Sequence, residues 1–132
     1  MKLVFALLLG ALAGSAGTPV ESRLQHQLKF WQRRLGLVEW SFSLRVVRQS
    51  QIDRNAWGTA EWDPNAKTAV INVLDPRDYN LKGGDLKLDM ECTIVHELVH
   101  IQVSSLAAQD GHVREDVVNR IMTALMNRQC PN

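Results

Sequence analysis

The sequence predicts an α+β domain with elements in the order α-β-β-β-α-α, its small, mostly antiparallel sheet packed on a helix that carries two histidines. Three observations lead there. Three stretches, at 21–37, 85–107 and 112–127, repeat apolar residues at three- and four-residue steps, the period of an amphipathic helix. Residues 40–46, Trp-Ser-Phe-Ser-Leu-Arg-Val, alternate strictly between apolar and polar, the period of a half-buried strand. A β-branched run at 68–74 follows the turn sequence Asp63-Pro64-Asn65-Ala66, so it pairs with the stretch before the turn as an antiparallel hairpin.

Taken in order, the chain starts with Met1-Lys2, a short apolar run from Leu3 to Leu12, and the small residues Ala13, Gly14, Ser15, Ala16 and Gly17. That is the layout of a secretory signal peptide. The run is too short for an ordinary membrane span of about 20 residues, although an uncleaved anchor and a buried N-terminal helix are the alternatives. Residues 1–17 are therefore read as the leader and 18–132 as one domain. Cleavage is expected near Ala16, with Ala13 and Gly17 as other possible sites. The mature protein is expected to be secreted or periplasmic, with no stable membrane insertion and as a monomer.

Within the mature chain, Leu24, Leu28, Trp31 and Leu35 form the apolar stripe of the first helix, which is expected to close near Gly36. The first strand follows at 40–46. Trp57 to Trp62 is the second strand and 68–74 the third. Residues 75–84, marked by Pro76 and Gly83-Gly84, read as a loop. Asp85 is placed to cap the next helix, whose apolar face is Leu86, Met90, Ile94, Leu98 and Val99 and which runs to about Ala107. Gln109-Asp110-Gly111 breaks it. The last helix starts at His112 or Val113 and uses Val117, Val118, Ile121 and Leu125. No internal repeat or low-complexity linker divides the chain.

Composition removes some functions. With 15 Lys+Arg against 14 Asp+Glu, the chain has neither a basic stripe for nucleic acid nor an acidic tail, so no nucleic-acid partner is expected. Two Cys are too few for a disulfide scaffold or a four-Cys zinc site. An oxidising compartment permits a Cys92–Cys130 disulfide; the other reading is a buried thiol and an exposed tail thiol.

The informative stretch is His96-Glu97-Leu98-Val99-His100, which matches the His-Glu-x-x-His metallopeptidase pattern on an expected helix. Residues four apart stand one above the other on a helix face, so both imidazoles can reach one ion. Glu97 projects beside them as a candidate general base. A solvated pair of histidines is the plainer reading, but the apolar flanks bury this helix, and buried imidazoles need partners. A catalytic zinc site normally adds a third protein ligand. Glu115 leads, since Glu115 and Asn119 are four apart and both can face the histidine helix. His112 and Asp116 are its rivals. Asn119 could then hydrogen-bond a ligand histidine. Gly58, Thr59, Ala60 and Glu61 are the candidate substrate-binding strand, with Trp57 and Trp62 either framing a cleft or filling the core. Tyr79 is a possible oxyanion donor, or else packs its loop. His26 is given no role.

His96-Glu97-Leu98-Val99-His100 with Glu115 on a following helix resembles the gluzincin metallopeptidases, and the short chain resembles their minimal, zincin-like members. The resemblance continues through Trp31-Gln32, Leu35-Gly36-Leu37 and Glu39-Trp40, then Gly58 to Trp62 and Ala69-Val70-Ile71-Asn72-Val73, then Glu115 to Ile121. It covers nearly all of the mature chain. It implies one zinc ion per chain held by His96, His100 and Glu115, and hydrolysis of peptide bonds by zinc-activated water with Glu97 as general base. It also implies a strand that takes extended substrate by strand addition. The chain departs from thermolysin-like members in having Asn119 where they carry Asp, and from many small relatives in its leader. The expected function is thus a secreted zinc endopeptidase, rather than an exopeptidase, acting on peptide or protein substrates. The alternatives are a non-catalytic, zinc-stabilised binding module and an amidase of cell-wall peptides. Glu97 favours catalysis, because a purely structural ion needs no base.

Overall fold

Thr18 opens the first described element of the chain, whose computed structural model describes residues 17–104 and 115–132. The Thr18 hydroxyl accepts the Glu21 N–H at 3.2 Å, and the Glu21 carboxylate accepts the Thr18 N–H at 2.9 Å. This reciprocal cap, with Pro19 at the first helical position, starts α1 (Pro19–Arg34) two residues before the expected point. Gly36 ends it, at φ +70°, where a side chain would be strained. The Leu37 N–H reaches back to the Gln32 carbonyl at 2.9 Å, so the helix stops at Arg34 and not at Leu37. The Gln32 amide then donates to the carbonyls of Leu37 and Trp40, steering the chain into β1 (Ser41–Val47).

β2 (Gly58–Asp63) and β3 (Thr68–Leu74) form the expected antiparallel hairpin, with Trp62 opposite Ala69 and Ala60 opposite Ile71. The Asp63 carboxylate accepts the N–H groups of Asn65 and Ala66 and holds the turn. The sheet itself is mixed, in order β1-β3-β2, and not mostly antiparallel: β1 lies parallel to β3, Leu44 opposite Ile71. The hairpin occupies one edge of β3 and leaves only the other for β1. The connection at 48–57 carries the chain across the end of β3 to the far edge. The Asp75 N–H bonds the Val47 carbonyl, and the Leu74 N–H the Trp57 carbonyl, closing that end.

Strand alternation gives the sheet two unlike faces. Ala69, Ile71 and Val73 are buried beneath the helices, with Leu44 and Ala60 level with Ile71 on the same face. The opposite face carries Ser43, Arg45, Asn72 and Glu61. The long helix α2 (Gly83–Ser104) lies across the covered face and packs against α1, β2, β3 and α3 (Glu115–Met126). Its interior residues Met90, Ile94, Val95, Leu98 and Val99 are all buried, as a helix surrounded by neighbours requires. Leu24, Leu28 and Trp31 of α1 face it, the Trp31 indole N–H donating to Glu91 at 2.8 Å. Val118 and Met122 close the core from α3.

α2 starts at Gly83, so Asp85 sits in its first turn and does not cap it; there the carboxylate still meets the positive end of the helix. The leader, the expected end of this helix near Ala107, the break at Gln109-Asp110-Gly111 and His112 lie outside the described residues. Beyond α3 the tail turns back onto α2. Cys92 and Cys130 are disulfide-bonded, and the Asn132 N–H donates to the Asp89 carboxylate at 3.0 Å.

Candidate metal centre

One face of α2 carries Asp89, Cys92, Thr93, His96, Glu97 and His100, spaced by three, one, three, one and three residues, as a helical stripe must be. This stripe lines one wall of a cleft of about 810 Å³. β2 and the loop before it form the opposite wall, and Glu115, Asn119 and Met122 of α3 close one side.

His96, His100 and Glu115 converge. The two Nε2 atoms are 3.1 Å apart, and they lie 3.0 and 2.9 Å from the two Glu115 carboxylate oxygens. A tetrahedral ion with ligand bonds of about 2.0–2.1 Å has ligand–ligand edges of roughly 3.3 Å, close to these separations. Two imidazole lone pairs and a carboxylate repel one another unless a proton or a cation sits among them, so the donor set fits a divalent metal. Among the described residues this is the only group of three such donors. His96 Nδ1 faces the Asn119 side-chain oxygen at 2.9 Å. With Asn119 so oriented, Nδ1–H donates and Nε2 keeps its lone pair for the ion. Burial lowers the pKa of His100, and a charged His96 adds to that, while Glu115 opposes it.

Glu97 is 7% exposed and points into the same cleft. Burial, with the negative charge of Glu115 second, pushes its carboxyl up to about 7. That brings its proton affinity near neutrality, where a group that takes up and returns protons works best. Gly58 is what lets β2 come this close. A Cβ there would stand 2.4 Å from the Thr93 methyl and 2.8 Å from the Asn72 carbonyl oxygen, and 3.8 Å from Glu97 Oε1.

Gly58, Thr59 and Ala60 border the cleft and Glu61 does not; Thr59 and Glu61 both send their side chains to the open face of the sheet, where the Thr59 hydroxyl accepts the Asn72 side-chain amide at 3.0 Å. Among the described residues β2 is an edge strand. The Leu74 N–H to Trp57 carbonyl bond makes Trp57 and Leu74 a hydrogen-bonded pair. Hydrogen-bonded pairs alternate along an antiparallel ladder, so the backbone groups of Gly58, Ala60 and Trp62 point to the free edge. Trp57 and Trp62 both line the cleft, and Trp62 also packs on the core, so the two readings offered for them combine. Tyr79 lies tilted against Trp57, ring centroids 4.9 Å apart, with its hydroxyl buried and turned toward Thr93 and Asp89, outside the cleft lining. It packs the loop.

Sequence reasoning missed Asp89, Thr93 and Asn132 in the cleft wall. The first two were detectable, since Asp89 lies seven residues before His96 on the same helical face and Thr93 four before Glu97. Asn132 reaches the cleft only through the folded-back tail. Comparisons of the chain with family models, with curated proteins and with solved structures return no match.

Proposed function

We propose that the protein is a zinc-dependent peptidase of the zincin-like, minimal gluzincin kind, exported to an oxidising compartment, that hydrolyses peptide bonds in extended substrates. The observation that carries the proposal is the placing of a buried carboxylate, Glu97, beside a converging His96–His100–Glu115 donor set at the foot of a free strand edge. No helix among the described residues is long and apolar enough to cross a membrane, and a disulfide suits an extracytoplasmic address.

His96, His100 and Glu115 would hold the ion, with Asn119 fixing the orientation of His96. A zinc ion bound there would supply Lewis-acid chemistry, polarising a peptide carbonyl and lowering the pKa of a water molecule. Extended substrate pairs with the outward backbone groups of Gly58 and Ala60, which lays its own carbonyls along the cleft. Glu97 removes a proton from the attacking water and returns it to the departing amine. Its buried setting keeps the carboxyl within range of both tasks. The three donors found among the described residues would leave a coordination position for chemistry, whereas a structural zinc site is ordinarily closed by a fourth.

The test is cleavage of an unfolded protein and of a diverse peptide mixture by the zinc-loaded chain beside Glu97→Gln. Loss of one general base predicts a fall of roughly 10²- to 10⁴-fold in kcat. Chelation should abolish activity and zinc should restore it. Equal traces of cleavage in both proteins would mean contamination. Absence of cleavage by wild type with bound zinc verified would replace this reading with that of a binding module.

A further inference from the structure

The end of the cleft beyond Glu97 is chemically unlike the metal end. Its floor is Asp89, 3% exposed, two helical turns before His96. Burying a carboxylate is costly unless a cation or several hydrogen bonds compensate it. Asp89 accepts the Asn132 N–H at 3.0 Å, and the Asn132 side chain and the Tyr79 hydroxyl are also directed at it, but among the described residues it has no ion-pair partner. Burial raises its pKa, and the hydrogen bonds of Asn132 and then Tyr79, neither of which brings a positive charge, offset only part of that. Among the described residues the cleft lining holds the side-chain carboxylates of Asp53, Asp89, Glu97 and Glu115, and no lysine or arginine. Glu97 and Glu115 belong to the metal centre. Asp53 is exposed at the rim, which leaves Asp89 as the buried carboxylate of the cleft that no cation among the described residues meets.

We infer that Asp89 is a specificity-determining residue, receiving the positively charged side chain of a lysine or arginine in the bound peptide. The inference rests on the peptidase reading for where the peptide lies. Asp89 and His96 are separated by about 10 Å along the helix axis, at 1.5 Å per residue over seven residues. A basic side chain is flexible, and its long apolar stem can lie along the cleft wall while its head reaches the carboxylate. Trp57 and the disulfide carbon and sulfur atoms of Cys92 offer that stem apolar surface at the same end of the cleft. The metal centre needs no basic side chain, so this selection is separate from the chemistry of bond cleavage.

The test uses N-acetylated, C-amidated peptides that are identical except for lysine or norleucine at one position, scanned along the sequence. Binding to the zinc-loaded Glu97→Gln protein is measured by calorimetry, and cleavage by the wild type is measured in parallel. At one position lysine should bind roughly tenfold or more tightly than norleucine, the value of a charged hydrogen bond. Nε-acetyl-lysine should bind like norleucine. Asp89→Asn, which keeps an oxygen for the Asn132 N–H, should bring the ratio close to one, while Asp53→Asn should leave it. A ratio near one throughout overturns the inference. So does a ratio that survives in Asp89→Asn, or one lost in Asp53→Asn. Should Asp89→Asn fail to fold, the acetyl-lysine comparison and Asp53→Asn decide the matter on an intact Asp89. Cleavage without charge preference removes the inference and leaves the peptidase; charge-selective binding without cleavage does the reverse.

Discussion

At the scale of single residues, Glu97 makes a prediction about stability that is independent of catalysis. Its carboxyl is raised from 4.5 to about 7 in the folded chain, mainly by burial. Between those values the folded protein holds a proton that the unfolded chain has released, so stability falls as pH rises through this window and stays low above it. Glutamine mimics the protonated side chain. In metal-free protein, Glu97→Gln should therefore match wild type near pH 4 and exceed it near pH 8 by up to about 3 kcal/mol. Denaturant unfolding at several pH values reads this directly, and a gap that does not change with pH would rule the assignment out. Added zinc places positive charge beside the carboxylate and should narrow the gap. The donors themselves were legible in the sequence because their geometry is local: four-residue spacing on a helix fixes His96 against His100, and Glu115 against Asn119. That Glu115 lies within hydrogen-bond distance of both imidazoles depends on the packing of α3 on α2, which no local spacing fixes. The burial of Asp89 away from any cation among the described residues was not legible, since burial is a property of the whole fold.

At the scale of elements, the decisive contact is the approach of β2 to α2. Gly58 has no unusual φ; what excludes a side chain is the Thr93 methyl on one side and a backbone carbonyl, that of Asn72, on another. Gly58→Ala should push strand and helix apart, costing roughly 1–3 kcal/mol as overpacking does, and should move Ala60 and the free edge away from Glu97. Thr93→Ser, which removes the clashing methyl, should recover part of that loss but not all, because Asn72 stays. Equilibrium unfolding of the two single variants and the double variant checks it, and full rescue would show that the backbone contact does not matter. The elements were otherwise largely readable. Strict alternation in β1 and the Asp63-Pro64-Asn65-Ala66 turn placed the three strands to within a residue or so. The parallel pairing of β1 was not readable, because which edge of β3 a strand takes depends on where a loop crosses, and loop 48–57 has no sequence mark for that. The helix starts slipped where capping competes. Thr18 and Glu21 form a cap that reaches back past the apolar stripe, and Gly83 begins α2 before the residue with the better capping side chain.

At the scale of the whole molecule, one covalent link governs the metal centre. The Cys92–Cys130 bond spans 38 residues, and that segment contains His96, His100, Glu115 and Asn119, so the entire donor set lies within a single closed ring. Closing a loop of this length removes conformational freedom from the unfolded chain worth about 4 kcal/mol in the chain-entropy account. The same link anchors the tail that carries Asn132 to the cleft wall. Stability lost with the disulfide would thus come from two sources with different signatures. If the loss were only of native packing at the tail, the denaturant midpoint would fall while the dependence on denaturant stayed the same. If the unfolded chain is the state released, it exposes more surface once the ring is open, and the slope must rise as the midpoint falls. The double variant Cys92→Ala/Cys130→Ala, unfolded in urea without metal, should therefore show a lower midpoint together with a steeper slope. A lower midpoint at unchanged slope would assign the effect to the tail contacts instead, and an unchanged midpoint would mean that the ring contributes nothing to holding the two ligand helices together.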